Sequence, residues 1–142
     1  MSFQLESTVD VFEGVPKLIS PQVHRWIDLA AAAAFAIVGG VFLRRGSGRV
    51  ATPAFINAAA IVGVSSQTDY EGNGVKPISF KMHGLIDLLL ATTAAAEPVI
   101  FGFPGNGVAA FFYGGGPSVV GVVATTDWNA GTRKARTVGR AA

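Results

Sequence analysis

The spacing of charges constrains this chain more than any other feature. Fifteen uncharged residues, LAAAAAFAIVGGVFL, separate Asp28 from Arg44. Nineteen separate Arg49 from Asp69, nine separate Asp87 from Glu97, and 29 separate Glu97 from Asp127. A membrane-crossing helix needs ~20 mostly apolar residues. Each stretch reaches that length once a flanking polar end is included, the last being divided by the GFPGNG turn at 102–107. Only 14% of the chain is charged, against about 25% in an ordinary soluble domain. The stretches are rich in Ala and Gly, which suits helices that approach one another closely. The spacing therefore predicts an all-α fold, a bundle of four transmembrane helices over 21–43, 51–68, 80–102 and 108–126. Ser20-Pro21 predicts an N-cap followed by proline at the first helical position, and Ser79 an equivalent cap. Pro98 predicts a kink or early stop, and Gly114-Gly115-Gly116-Pro117 an interruption of the fourth helix.

A second pattern organises the first. His24-Arg25-Trp26-Ile27-Asp28-Leu29 returns as His83-Gly84-Leu85-Ile86-Asp87-Leu88, at an offset of 59 residues. Ile19, Ser20 and Phe42 meet Ile78, Ser79 and Phe101 at the same offset. At an offset of 58, Phe55 meets Tyr113, Val62-Gly63-Val64 meets Val120-Gly121-Val122, and Thr68-Asp69-Tyr70 meets Thr126-Asp127-Trp128. Two tandem helical hairpins are expected, over 20–74 and 75–131, preceded by a polar or interfacial segment (1–19) and followed by a basic mobile tail (132–142). Each half crosses twice, so both begin on one side, related by a pseudo-two-fold axis along the membrane normal.

The pattern resembles the SPW-repeat family of small bacterial integral membrane proteins. Each repeat of that family has a His-x-x-x-Asp helix start, then a Ser-Pro-Trp-x-x-Gly-Phe-like stretch, then a second helix. His83 to Asp87 matches the helix start, and Thr68-Asp69-Tyr70-Glu71-Gly72 matches the segment between repeats. Glu97-Pro98-Val99-Ile100-Phe101-Gly102-Phe103 stands where the Ser-Pro-Trp stretch would be, without its tryptophan, and Val38-Gly39-Gly40 lacks the stretch altogether. The resemblance spans residues 18–130. It implies the four-helix topology and a bacterial inner membrane, and it carries over no functional residues, since the family has no established activity.

The two histidines and their aspartates are the main chemical candidates. His24 and Asp28 share a helix face, as do His83 and Asp87, because residues i and i+4 are stacked. Asp69 and Asp127 fall at helix ends on the same side. The plainest reading is structural: each aspartate orients its own histidine, and the polar groups join helices. A sharper reading makes His24 and His83 a bis-histidine site for haem, a pigment or a metal ion, with Asp28 and Asp87 as orienting partners. The ligand types suit a divalent ion, but the spacing is no recognised metal signature, so the sequence alone assigns no metal site. Glu97, charged beside Pro98 within an apolar run, raises a third reading, a proton or ion path. Trp26, Tyr70 and Trp128 fall at the level of the histidines, as an interfacial aromatic belt would.

Other chemistries are disfavoured. The chain has no cysteine, which removes disulfides and thiolate ligands. The glycine-rich turn at 102–107 is not a phosphate cradle, since no strand precedes it and no Lys-Ser/Thr pair follows. Ser65 and Ser66 are explained by capping and packing, and no catalytic set is expected. The basic tail suits a topology signal or anionic lipid rather than nucleic acid. Lys17, Arg25, Lys76, Lys81, Arg133, Lys134, Arg136 and Arg140 lie on the side of the histidines, with Arg44, Arg45 and Arg49 opposite. The excess places both termini in the cytoplasm. The expected role is a non-catalytic structural or accessory protein without a cofactor, acting as a homo-oligomer or within a larger membrane complex.

Overall fold

The computed structural model of the chain describes residues 7–130. The predicted tail at 132–142 and the first six residues of the predicted interfacial segment lie outside the described residues. The described chain is mostly helical: α1 (Pro21–Arg44), α2 (Gly48–Gln67), α3 (Phe80–Ile100) and α4 (Ala109–Thr125), with a short 3-10 turn at Ser7–Phe12. α1, α2 and α3 are each long and apolar enough to cross a membrane, whereas α4, at 17 residues, is a shorter apolar helix. At 1.5 Å per residue the four reach ~36, ~30, ~31 and ~25 Å, against a hydrocarbon core of ~30 Å.

Local chemistry fixes the helix ends. Ser20 Oγ accepts the Val23 N–H at 3.3 Å, and Ser79 Oγ accepts the Met82 N–H at 3.1 Å. The same hydroxyl cap thus starts α1 and α3. Gly46 (φ +72°) and Gly102 (φ +76°) turn the chain after α1 and α3, where any side chain would be strained. Pro98 lies in the last turn of α3, which ends two residues later at Ile100. The predicted interruption of the fourth helix is not found, because α4 runs through Gly114 to Pro117 to Thr125. Apolar surroundings leave backbone groups no partner outside the helix, and the Ser118 hydroxyl adds a bond to the Gly114 carbonyl at 2.9 Å.

α1 packs on α2 and α3 on α4, and across the hairpins α2 packs on α3. Two short backbone pairings tie the same end. The strands β1 (Thr68–Asp69) and β2 (Ile78–Ser79) pair in parallel, with Thr68 opposite Ile78. Ile19 pairs in parallel with Thr126. At this end Val9, Tyr70, Phe80, Val123 and Trp128 form one apolar cluster, and at the other Val50, Ala54, Phe103, Ala109 and Phe112 form a second. Most large apolar side chains on the outer faces, such as Ile37, Leu43, Leu89, Val99 and Ile100, are exposed.

Two expectations change here. Of the predicted aromatic belt, Trp26 alone faces outward; Tyr70 and Trp128 are buried, held inside by hydrogen bonds that an interfacial position would not supply. The predicted interfacial segment, over its described part, packs on the protein itself. Val9 enters the apolar cluster, and Asp10 pairs with Lys81 at 3.0 Å.

Packing at Gly84 yields a prediction. A Cβ there would lie 2.8 Å from Trp128 Cη2, and that ring is held by its Nε1–H donating to the Val123 carbonyl at 2.8 Å. Gly84→Ala is expected to cost about 1–3 kcal/mol by overpacking. Gly39→Ala would meet the Phe55 ring at 2.9 Å, but Phe55 is 40% exposed and can turn aside. Thermal unfolding in detergent is expected to show a distinctly larger loss for Gly84→Ala.

Candidate metal centre

His24 and His83 are each the fourth residue of their helices, α1 and α3, one turn past the serine caps. Asp28 and Asp87 follow one turn deeper. The four side chains converge between the hairpins, with both histidines fully buried. His24 Nε2 lies 3.0 Å from Asp87 Oδ2 and 3.5 Å from Asp28 Oδ1. His83 Nε2 lies 3.2 Å from Asp28 Oδ2 and 3.2 Å from Asp87 Oδ2. Each imidazole therefore faces its own aspartate and the other helix's as well. The structural expectation, each aspartate orienting its own histidine, describes half of the geometry.

The far side of each ring is held by a threonine. Thr68 Oγ1 donates to the Val64 carbonyl at 2.7 Å, and Thr126 Oγ1 donates to the Val122 carbonyl at 2.7 Å. A hydroxyl has one proton, so each oxygen must accept from its histidine. The His83 Nδ1–H donates to Thr68 at 2.7 Å, and the His24 Nδ1–H donates to Thr126 at 2.9 Å. Both rings thus carry their Nδ1 proton away from the centre and turn Nε2 into it. Such an outer hydrogen bond is what fixes the tautomer of a metal-binding histidine. Two nitrogens and two carboxylates result, with one ligand atom from each residue lying within 4.8 Å of all the others.

A further layer holds the carboxylates. The Tyr70 phenol donates to Asp28 Oδ2 at 2.7 Å and lies 2.7 Å from Ser65 Oγ. Burial pushes the Tyr70 phenol well above its ordinary pKa, so it stays a donor. Phe80 and Trp128 lie edge-on to His24, with ring centroids 5.5 and 5.0 Å away.

The other sequence candidates lie apart from this centre. Asp69 is committed to its own loop, accepting the N–H groups of Gly72, Asn73 and Gly74. Asp127 Oδ1 accepts the Asn129 N–H at 3.2 Å. Glu97, ten residues past Asp87 and hence ~15 Å along α3, is buried and accepts from Asn57 Nδ2. Sequence reasoning missed Thr68, Thr126 and Tyr70 as parts of the site, and Ser65 and Asn57 as buried partners. A signal existed for the threonines: both begin the repeated Thr-Asp-aromatic triplet, in which the spacing alone gives the threonines no role at the histidines. Comparison with protein-family models, with curated proteins and with solved structures finds no match to the chain.

The hydroxyl layer can be tested by itself. Tyr70→Phe removes the donor to Asp28 and leaves the buried Ser65 hydroxyl without its phenol partner, which is expected to cost about 1–3 kcal/mol. Ser65→Ala leaves the Tyr70–Asp28 bond in place and is expected to cost less, with both read from thermal unfolding in detergent.

Proposed function

We propose that this is a small non-catalytic membrane protein whose centre holds one divalent first-row transition-metal ion. Its four helices span the bilayer as two tandem hairpins about a pseudo-two-fold axis, with both termini cytoplasmic. The observation that carries the metal reading is His83 Nε2. It is buried, 3.2 Å from two carboxylates, and meets neither in hydrogen-bonding geometry. A nitrogen lone pair aimed at anionic oxygens is repelled unless a proton or a cation lies among them. His24 Nε2 and Asp87 Oδ2, 3.0 Å apart, meet in hydrogen-bonding geometry, so a proton or a cation between them satisfies that contact. With neutral imidazoles the two aspartates would leave two negative charges in an apolar bundle, at great cost, and one dication cancels both.

The geometry suits such an ion. Around zinc with bonds of ~2.0 Å, tetrahedral ligand atoms stand ~3.3 Å apart. The four nitrogen–oxygen separations here run from 3.0 to 3.5 Å with both Asp28 oxygens counted, and one ligand atom from each residue lies within 4.8 Å of the others, so an ion would draw the set slightly inward. Two imidazoles with two carboxylates favour zinc, iron(II) or manganese over magnesium or calcium, and the lack of sulfur disfavours copper(I). Haem fits poorly. The imidazoles stand 5.1 Å apart between ring centroids, at 78°, with shared carboxylates where the porphyrin would have to pass.

The duplication is supported by the matched pairings: Thr68 with Ile78 and Thr126 with Ile19 are the same contact shifted by 58 and 59 residues. The resemblance to the SPW-repeat family joins this reading at the segment beginning Thr68-Asp69-Tyr70, two of whose side chains reach the centre. The exposed apolar faces and minimal loops suit a metal-holding module within a homo-oligomer or larger membrane complex.

Elemental analysis of the purified protein is expected to find about one transition-metal ion per chain, and X-ray absorption to find imidazole and oxygen neighbours. His24→Ala and His83→Ala should each lose the ion. Thr68→Val and Thr126→Val keep all four ligands and should weaken binding by about 10–100-fold. A folded wild-type chain that takes up no zinc, iron(II) or manganese on titration would overturn the reading.

A further inference from the structure

A cavity of about 460 Å³ runs inward from the two aspartates between the hairpins, lined by all four helices. Sites for small molecules span ~300–1,000 Å³, with mostly apolar walls and a few placed polar groups. This one follows that pattern. Among the described residues its walls carry four polar side chains: Asp28, Asp87, Asn57 and Ser118. Asn57 Nδ2 donates to the Pro53 carbonyl and to Glu97, and Ser118 Oγ donates to the Gly114 carbonyl. The charged groups of the lining therefore lie at one end, on the carboxylates of the centre, and apart from the Asn57 amide and the Ser118 hydroxyl the rest is alanine, glycine and larger apolar side chains.

The cavity is half-open, and the two seams between the hairpins differ. α2 packs along α3, clipped by Asn57 and Glu97. The opposite seam, between α1 and α4, is held at two levels. Leu18 and Ile19 donate to the Thr125 carbonyl at the cytoplasmic end, and Phe35 packs edge-on to Phe111 deeper in, at 4.9 Å. Shifted by 58 and 59 residues, Asn57 and Glu97 become Gly115 and Val38, so this seam has no clip. Between its two levels the walls are small, including Ala31, Ala34 and Gly115. A Cβ built on Gly114 or Gly115 would meet nothing within 4 Å.

We infer that this cavity binds an uncharged, membrane-dissolved amphiphile, one apolar body with a single oxygen-bearing head, admitted from the bilayer between α1 and α4. The apolar walls take the body, and the head reaches the Asp28 and Asp87 end. The choice of head rests on the metal reading above: a dication with two carboxylates is neutral overall, so an alcohol, phenol or quinone oxygen suits it better than a charged head. A polar end next to an open seam also favours an amphiphile over a helix of a second copy, which would have to bury those carboxylates against apolar residues.

The test uses the full chain in lipid nanodiscs with a long-chain alcohol carrying a chain-terminal diazirine. Light is expected to attach it saturably to peptides of α1 and α4 that line the seam. An unlabelled alcohol of equal length should compete, and an alkane of equal length should compete at least tenfold less well. Gly115→Phe fills the cavity and should abolish saturable labelling while metal content stays at the wild-type level. Ala34→Leu, on the facing wall, should reduce labelling as well, so misfolding of one variant does not decide the matter. Labelling that is unsaturable and spread over the outer faces, equal competition by the alkane, or a seam covered by a second copy in crosslinked dimers would each overturn the inference. Saturable, head-dependent labelling of a chain that binds no metal would sustain the cavity and remove the metal reading, which keeps the two failures distinct.

Discussion

Everything at the polar end of this protein depends on two carboxylates being shared by two imidazoles. An aspartate carried into an apolar bundle is costly unless an opposite charge and enough hydrogen bonds accompany it. Asp28 and Asp87 each lie within reach of both histidines. The contact thus crosses from α1 to α3 twice, and it fixes the relative depth of the two helices. A slide of one turn would separate each carboxylate from the partner imidazole and leave it with the histidine on its own helix. Apolar packing among alanines and glycines is nearly indifferent to such a slide, so the polar centre supplies a register that the small residues lack.

The backbone around the centre delivers its remaining parts economically. Thr68, Asp69 and Tyr70 are consecutive, and each does a different thing. Thr68 leaves the end of α2, bonds back to Val64 and turns His83. Asp69 gathers three N–H groups and closes the loop. Tyr70 folds inward onto Asp28. The parallel pairing of Thr68 with Ile78 lays this segment beside the start of α3, so the threonine arrives one helical turn from the histidine that it orients. Thr126 and Ile19 do the same for His24. Trp128, in place of a second tyrosine, has no hydroxyl to offer Asp87; it donates instead to the Val123 carbonyl and covers Gly84.

Much of the fold is legible in the sequence because its signals are local. Serine caps, proline positions and uncharged stretches mark the helices to within a few residues. The histidine-aspartate spacing marks the two starts and the shared side. What the sequence leaves open is direction. Spacing places His24 and Asp28 on one face, but a face includes both the partner on the same helix and whatever the neighbouring helix presents. Whether His24 turns to Asp28 or to Asp87 depends on the packing of α1 against α3, which no local pattern encodes. Tyr70 and Trp128 illustrate the same limit. An aromatic residue near a helix end suits a membrane interface and a buried lid equally well, and the choice follows from hydrogen-bond partners far along the chain. Glu97 reads as an isolated charge until Asn57, 40 residues earlier, is brought beside it.

The most informative departure from symmetry is that same pair. If the halves arose by duplication, identical seams would be the simplest outcome, with α2 on α3 and α4 on α1 equally close. A clip of Asn57 on Glu97 at one seam only fixes the angle between the hairpins there. The four-residue centre fixes it again at the end where α1 and α3 begin. With the hairpins held at two separated levels, the opposite seam need not collapse for the bundle to stay intact, and glycine at 115 removes bulk just where the clip's counterpart would stand. Burying a glutamate is a costly way to join two helices that small apolar residues could join alone. Its value lies in holding one side shut so that the other can stay open, which links the cavity's existence to a polar pair whose asparagine lines its wall.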